Sequence, residues 1–242
     1  MTKTNPIDHA QAYPFDIPEQ SFVLDKDSCR HLPVGLHQTT ARHAVIASGS
    51  NASPKQLRTK FAPHPHLLDQ PIYVTRAVLH DFDAVYSAHF SSYGSIPATL
   101  AHAPGAQISI FITWLTDAQL EHMHQTEAVG VNYDYTRLHG IRLNLEDGTT
   151  LDNAHAYLSR RGCLNHRGTP VPVAELTTQG RRWPAMSQCE VLDYARSLIA
   201  PGDDSETFIK TGINSPALRQ KRAETLAETA LPHGWKTLVF LS

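Results

Sequence analysis

The chain has 242 residues, 41% of them hydrophobic, with 21 lysines and arginines against 23 aspartates and glutamates and a formal charge of −2 when histidine is neutral. That length supports a buried core without disulfides or metal, and so balanced a charge gives no bulk electrostatic basis for binding nucleic acid. Cysteines at 29, 163 and 189, odd in number and widely spaced, exclude a disulfide framework and suit a reducing, cytoplasmic setting, and no apolar run is long enough to predict a membrane span or a signal core.

Residues 1 to about 40 are rich in Pro, Asp, His and Gln around one apolar patch, SFVL, and are expected to form an N-terminal arm. The body begins at His43. In HAVIASGSNASPKQL a short apolar strand stops at Ser48-Gly49-Ser50-Asn51, and a Ser-Pro step opens a polar, helix-compatible segment. Gly49 is expected to let the backbone turn tightly and to leave the amides of Gly49, Ser50 and Asn51 uncovered, so that the loop can hold an anion or an oxyanion. The stretches PIYVTRAVLHDFDAVYSAHF, ATLA and AQISIFITWL read as further strands. Ala103-Pro104-Gly105 reads as a turn between the last two, and Ile108, Ile110, Ile112 and Trp114 mark one buried face.

The pattern then changes to helix in TDAQLEHMHQTE, with Thr116 as N-cap and Gln119 three residues on. Leu120, Met123 and Glu127 follow at i, i+3 and i+7, which brings the Glu127 carboxylate to the helix's apolar stripe. Glu146-Asp147-Gly148-Thr149 is a hairpin turn between two strands. Gly162 to Pro172 reads as loop with a turn at Arg167-Gly168-Thr169, MSQCEVLDYARSLI as an amphipathic helix, and SPALRQKRAETLAETAL as a helix capped by Ser215 with Pro216 at its first position. The tail KTLVFLS is an edge strand or a packed tail. The expected organisation is an arm over 1–40, a barrel over 41–160 and a helical extension over 161–242 packed on it.

Fifteen histidines are scattered along the chain. The closest pairs, His64 with His66 and His122 with His124, lack the spacing that converges on a metal, so neither a metal nor a cofactor is expected. Ser48 and Ser50 do not sit in a Gly-x-Ser-x-Gly elbow, and Cys163 with His166 matches no cysteine-protease signature.

The strand ending in Ser48-Gly49-Ser50-Asn51, the later Pro-Gly step and strand, and the helix that closes on Glu127 with Tyr133 just beyond it resemble the gamma-glutamylcyclotransferase-like superfamily over residues 43 to 160. The resemblance implies an α+β fold, a mixed β-barrel with flanking helices. It also implies an enzyme that cyclises a small gamma-glutamyl amide to 5-oxoproline, releasing the free amine. Glu127 is then the acid/base, and Ser48, Gly49, Ser50, Asn51 and Tyr133 line the substrate site. From the residues alone, Tyr93, Gly94 and Ser95 either line the pocket further, since Gly94 allows close backbone approach, or form a plain turn. One departure is that Ser48 stands where the family has tyrosine. The expected consequence is a roomier pocket and altered selectivity, unless Trp183 or Tyr194 refills the space. A non-catalytic ligand-binding or interaction protein on the same fold, and an amide-cleaving or acyl-transferring enzyme using the same pocket, are the alternatives.

Overall fold

The computed structural model describes residues 5–35, 39–236 and 238–240. The N-terminal segment forms α1 (Pro6–Gln11), β1 (Phe22–Leu24) and β2 (Cys29–His31). The barrel follows with β3 (His43–Ala47), α2 (Pro54–Phe61), β4 (Ile72–Tyr86), β5 (Ala98–Leu115), α3 (Asp117–Thr126), β6 (Tyr133–Leu145) and β7 (Thr150–Ser159). Around the ring, β5 pairs with β3, β3 with β7, β7 with β6, β6 with β4, and β4 with β5 again, which closes the sheet. Only the β3–β7 contact is parallel, through Val45 and His155, so the barrel is mixed and the fold is α+β.

Strand alternation explains how this ring is filled and covered. In β3, Ile46 belongs to the larger core cluster with Ile108, Ile110, Ile112 and Trp114 of β5, the face expected from the sequence. The alternate residues Val45, Ala47, Phe111 and Leu115 turn the other way, into a second cluster with Leu57 and Phe61 of α2 and Leu120 and Met123 of α3. Both faces of these strands are therefore buried, each large aliphatic side chain contributing about 1.5–3 kcal/mol by leaving water.

The expected turn at Ala103-Pro104-Gly105 is instead the interior of β5, which runs unbroken from Ala98 to Leu115. The register with β4 slips between His80 and Phe82, where Asp81 has a φ of 63°. Gly105 answers with a φ of 86°, and its amide donates to Asp81 Oδ1 at 2.8 Å. A bulge absorbs the turn residues without ending the strand.

The remaining chain adds β8 (Asn165–His166) and β9 (Thr169–Pro170), a two-residue hairpin around Arg167 and Gly168, then β10 (Thr178–Gln179) on β5. Helices α4 (Gln188–Ile199), α5 (Ser205–Asn214) and α6 (Pro216–Ala227) follow. Side-chain caps set their starts: Ser187 with Glu190, Asp204, and Ser215 before Pro216. Val191, Leu192, Ala195, Phe208, Ile209, Ala223 and Leu226 join the barrel's larger core cluster. The tail gives β11 (Leu238–Phe240), paired with β6, while Thr237, Leu241 and Ser242 lie outside the described residues. No helix among the described residues is long and apolar enough to cross a membrane.

Candidate functional site

Strand β3 runs between β5 and β7, so the loop that leaves it at Ser48 emerges at one end of the barrel. Residues Ser50–Ala52 form a single 3-10 turn and α2 begins at Pro54. The φ of Gly49 is −174°, an extended value open to any residue. Gly49 is therefore not required for a tight turn, as the sequence suggested. It is required for space, because a Cβ there would overlap the hydroxyl of Tyr13. The amides of Gly49 and Asn51 donate to no acceptor among the described residues, and the Ser50 amide faces the Tyr13 hydroxyl.

Glu127 is the C-cap of α3, whose first turn is fixed by the reciprocal Thr116–Gln119 capping box. Its side chain is only 12% exposed. Asn51 Nδ2 donates to Glu127 Oε1 at 3.1 Å, which ties the loop directly to the glutamate. Lys60, at the end of α2, makes an ion pair with the same oxygen and donates to Asn51 Oδ1 at 2.6 Å. Glu127 Oε2 has no hydrogen-bond partner among the described residues and is the oxygen open to a ligand.

An aromatic wall stands beside this triad, but its origin is not the one expected. Tyr13 reaches in from the N-terminal segment, 3% exposed, and accepts a hydrogen bond from the Ala98 amide at 2.7 Å. Burial, and after it the neighbouring Tyr93, hold its phenol well above the usual tyrosine range, so the hydroxyl stays protonated. Its proton meets no acceptor among the described residues and is free for a ligand oxygen. Trp183 and Tyr194 take no part: Trp183 packs against Val85, Ala101 and Cys163, and the Tyr194 hydroxyl donates to the Asn165 carbonyl at 2.9 Å. The tyrosine that stands against this loop is Tyr13, whose hydroxyl lies over Gly49.

Tyr133 lies on the other side of residue 98, donating to the Ala98 carbonyl at 3.0 Å and not to Glu127. Tyr93 lines the cavity. Gly94 and Ser95 do not line it: Gly94, with a φ of 90°, is packed under Ile209 and Ile213 of α5, and Ser95 is hydrogen-bonded to Ser91. The glycine's conformation and its contact with α5 account for it without a ligand.

His89 was not singled out in the sequence, and it is buried in the cavity wall. Its Nδ1 meets Ser87 Oγ, which donates to Ser159 Oγ at 2.7 Å. Burial, assisted by the Arg161 charge, pushes its pKa down to about 3, so it is neutral at physiological pH. The paired histidines of the sequence diverge: His122 meets the Lys60 carbonyl, whereas His124 Nδ1 meets the Tyr157 hydroxyl at 2.9 Å.

These groups surround one cavity of about 470 Å³. Ser48, Gly49, Ser50, Asn51, Tyr93, Glu127 and Tyr133 are brought together there, as the sequence motifs required. The same cavity takes in six residues that sequence reasoning missed and that carry a titratable group or charge: Tyr13, Lys60, His89, Tyr157, Arg161 and Arg219. The local signal for them was confined to the apolar Tyr13-Pro14-Phe15 step in the arm, ahead of SFVL. The arginines and Lys60 read as ordinary solvated charges.

No protein-family model matches this chain, and no curated protein does. Nine solved chains are similar to it. They include an uncharacterized human protein, at 16% identity over 69% of this chain and 86% of the other with a TM-score of 0.41. A gamma-glutamyl cyclotransferase is similar at 15% identity over 79% and 89%, TM-score 0.40, and a yeast gamma-glutamyl cyclotransferase specific to glutathione at 9% over 79% and 98%, TM-score 0.35. The chain's own strand pairing makes the closed mixed barrel with flanking helices that the resemblance implied.

Proposed function

We propose that this protein cyclises a small gamma-glutamyl amide to 5-oxoproline, releasing the amine, with Glu127 as the group that moves the proton. The observation that carries this reading is the direct link between Glu127 and the loop: a nearly buried carboxylate, bonded through Asn51, with its second oxygen open to the cavity. In the reaction the substrate's own α-amine attacks its γ-carbonyl. A C–N bond closes the five-membered ring and the original amide C–N bond breaks. The proton leaving the attacking amine goes to Glu127 Oε2 and from there to the departing nitrogen.

The oxyanion formed in between takes hydrogen bonds from the free amides of Gly49 and Asn51 and from the Tyr13 hydroxyl. The Tyr13 proton is polarised by the Ala98 and Ser50 amides behind it. Lys60 holds Glu127 and Asn51 in register.

The Lys60 contact also supports a second reading. A carboxylate already paired with a cation can serve as a fixed recognition group for an ammonium, which is all that a non-catalytic binding protein needs. Glu127→Gln separates the two. The amide is nearly isosteric and cannot accept the proton, so a folded variant is expected to lose 5-oxoproline formation by about 10²–10⁴-fold. Full turnover by that variant on a substrate the wild type processes would remove Glu127 as the base. Absence of turnover by the wild type on gamma-glutamyl dipeptides, gamma-glutamylamines and glutathione would favour the binding protein.

A further inference from the structure

We propose that Arg161 and Arg219 form a binding site for a carboxylate of the ligand, in the part of the cavity walled by α6. Among the described residues the charged groups lining the cavity are Lys60, Arg161, Arg219 and Glu127, three cations against one carboxylate in a chain whose net charge is −2. Lys60 and Glu127 neutralise each other, which leaves the two arginines.

Their contacts are all to neutral oxygens. Arg161 Nη2 donates to Gln220 Oε1 at 3.0 Å, and Arg219 Nη1 donates to the carbonyls of Gly212 and Ile213 at 2.8 and 3.3 Å. Gln220 follows Arg219 in α6, so the first of these bonds draws Arg161 to the turn that carries Arg219. Arg161 Nε is buried and has no hydrogen-bond partner among the described residues. A cation short of partners in a protein interior is disfavoured, and a carboxylate in the cavity stabilises the guanidinium to which this nitrogen belongs. His89 beside it is neutral and does not compete for the anion. Pro216 also lines the cavity, which brings the positive end of α6 to the same wall. A planar guanidinium pairs with a carboxylate through two parallel bonds, which suits either arginine of this wall to a carboxylate.

A gamma-glutamyl amino acid has two carboxylates that suit this site, the α-carboxylate of the glutamyl part and that of the departing amino acid. This choice between carboxylates rests on the cyclisation reading; the anion site itself does not. The full-length wild type, Arg161→Gln and Arg219→Gln are assayed on γ-glutamylglycine and on γ-glutamylglycinamide, and each protein is titrated with malonate by calorimetry. The Arg→Lys versions replace any glutamine variant that does not fold.

Each variant is expected to raise KM about tenfold to a hundredfold with kcat little changed, as one charge-assisted pair is lost, and to lose malonate binding. A rise confined to γ-glutamylglycine assigns the arginines to the departing carboxylate, and an equal rise on both substrates to the α-carboxylate. Unchanged KM on both substrates with unchanged malonate binding overturns the site. If the wild type turns over neither compound, malonate decides alone: binding by the wild type that both variants lose supports the site, and no binding overturns it.

Discussion

The cavity has two kinds of wall. One is built by the barrel and the helices inserted between its strands: Gly49, Ser50 and Asn51 at the end of β3, Lys60 on α2, and Glu127 at the end of α3. The other comes from segments outside the barrel, Tyr13 from the N-terminal segment and Arg219 from α6. The first wall holds the groups that can move a proton and receive an oxyanion. The second supplies a hydroxyl beside that loop and a charge that can select the ligand. In the cyclisation we propose, the barrel fixes what chemistry is available, and the appended segments determine how completely the site is formed.

The largest expected effect that tests this division is on Tyr13. If the N-terminal segment completes the oxyanion site, Tyr13→Phe lowers kcat by about 10²–10³-fold, the range for removing one donor of this kind. The same change leaves the buried Ala98 amide without its acceptor, a stability loss of about 1–3 kcal/mol. The two losses are read separately, by turnover under saturating substrate and by denaturant unfolding. A variant that is destabilised but turns over normally when folded would make Tyr13 a wall and nothing more, and the chemistry would belong to the barrel alone.

The division also follows what the sequence makes legible. The strand before Ser48, the capping box at Thr116 and the apolar stripe that carries Glu127 inward are local patterns, and each stands in the structure where its pattern places it. What the pattern could not carry was contact between distant segments. Lys60 meets Glu127 only because α2 and α3 pack side by side on the same strand faces. Tyr13 meets Gly49 only because the N-terminal segment crosses the barrel's mouth, and nothing near Ser48 announces it. The misread turn at Ala103-Pro104-Gly105 has the same cause, since its bulge is completed by Asp81 on the partner strand. Gly94 was placed in the site by local sequence and is instead the seat of α5.

His89 gives a second, intermediate effect, this time on the stability of the junction between the two walls. Its pKa falls from an ordinary 6.5 to about 3 in the folded protein, chiefly by burial and secondarily by Arg161. Below pH 6.5 the unfolded chain takes up a proton that the folded chain does not, so the stability present above that pH is lost progressively as pH falls toward 3. The slope is about 1.4 kcal/mol per pH unit in that window. His155, lowered to about 4 by burial and by Arg137, adds to the total but not to the difference made by changing His89. Urea unfolding at pH 7, 5 and 4 is expected to show the wild type losing more stability on acidification than His89→Gln. A gap between the two proteins that does not change with pH would remove His89 as the source.

The smallest effect expected is also the most specific to the contact between the walls. Adding a Cβ at residue 49 forces it into the Tyr13 hydroxyl, while the next nearest atoms, Tyr13 Cζ and Ala98 Cβ, stand at 3.3 and 3.5 Å. The backbone at Gly49 is extended and gives no reason of its own to resist alanine. Gly49→Ala is therefore expected to destabilise the protein by about 1–3 kcal/mol through overpacking when Tyr13 is present. In a Tyr13→Phe background the offending oxygen is gone and a shift of a few tenths of an ångström accommodates the methyl, so most of that penalty disappears. The two changes then combine to less than the sum of their separate effects, by an interaction of about 0.5–3 kcal/mol. Additive behaviour would mean that Tyr13 does not rest on Gly49 in solution, and the loop would be open to ligands without help from the N-terminal segment. Non-additive behaviour would tie the glycine's identity to a residue in a different part of the chain.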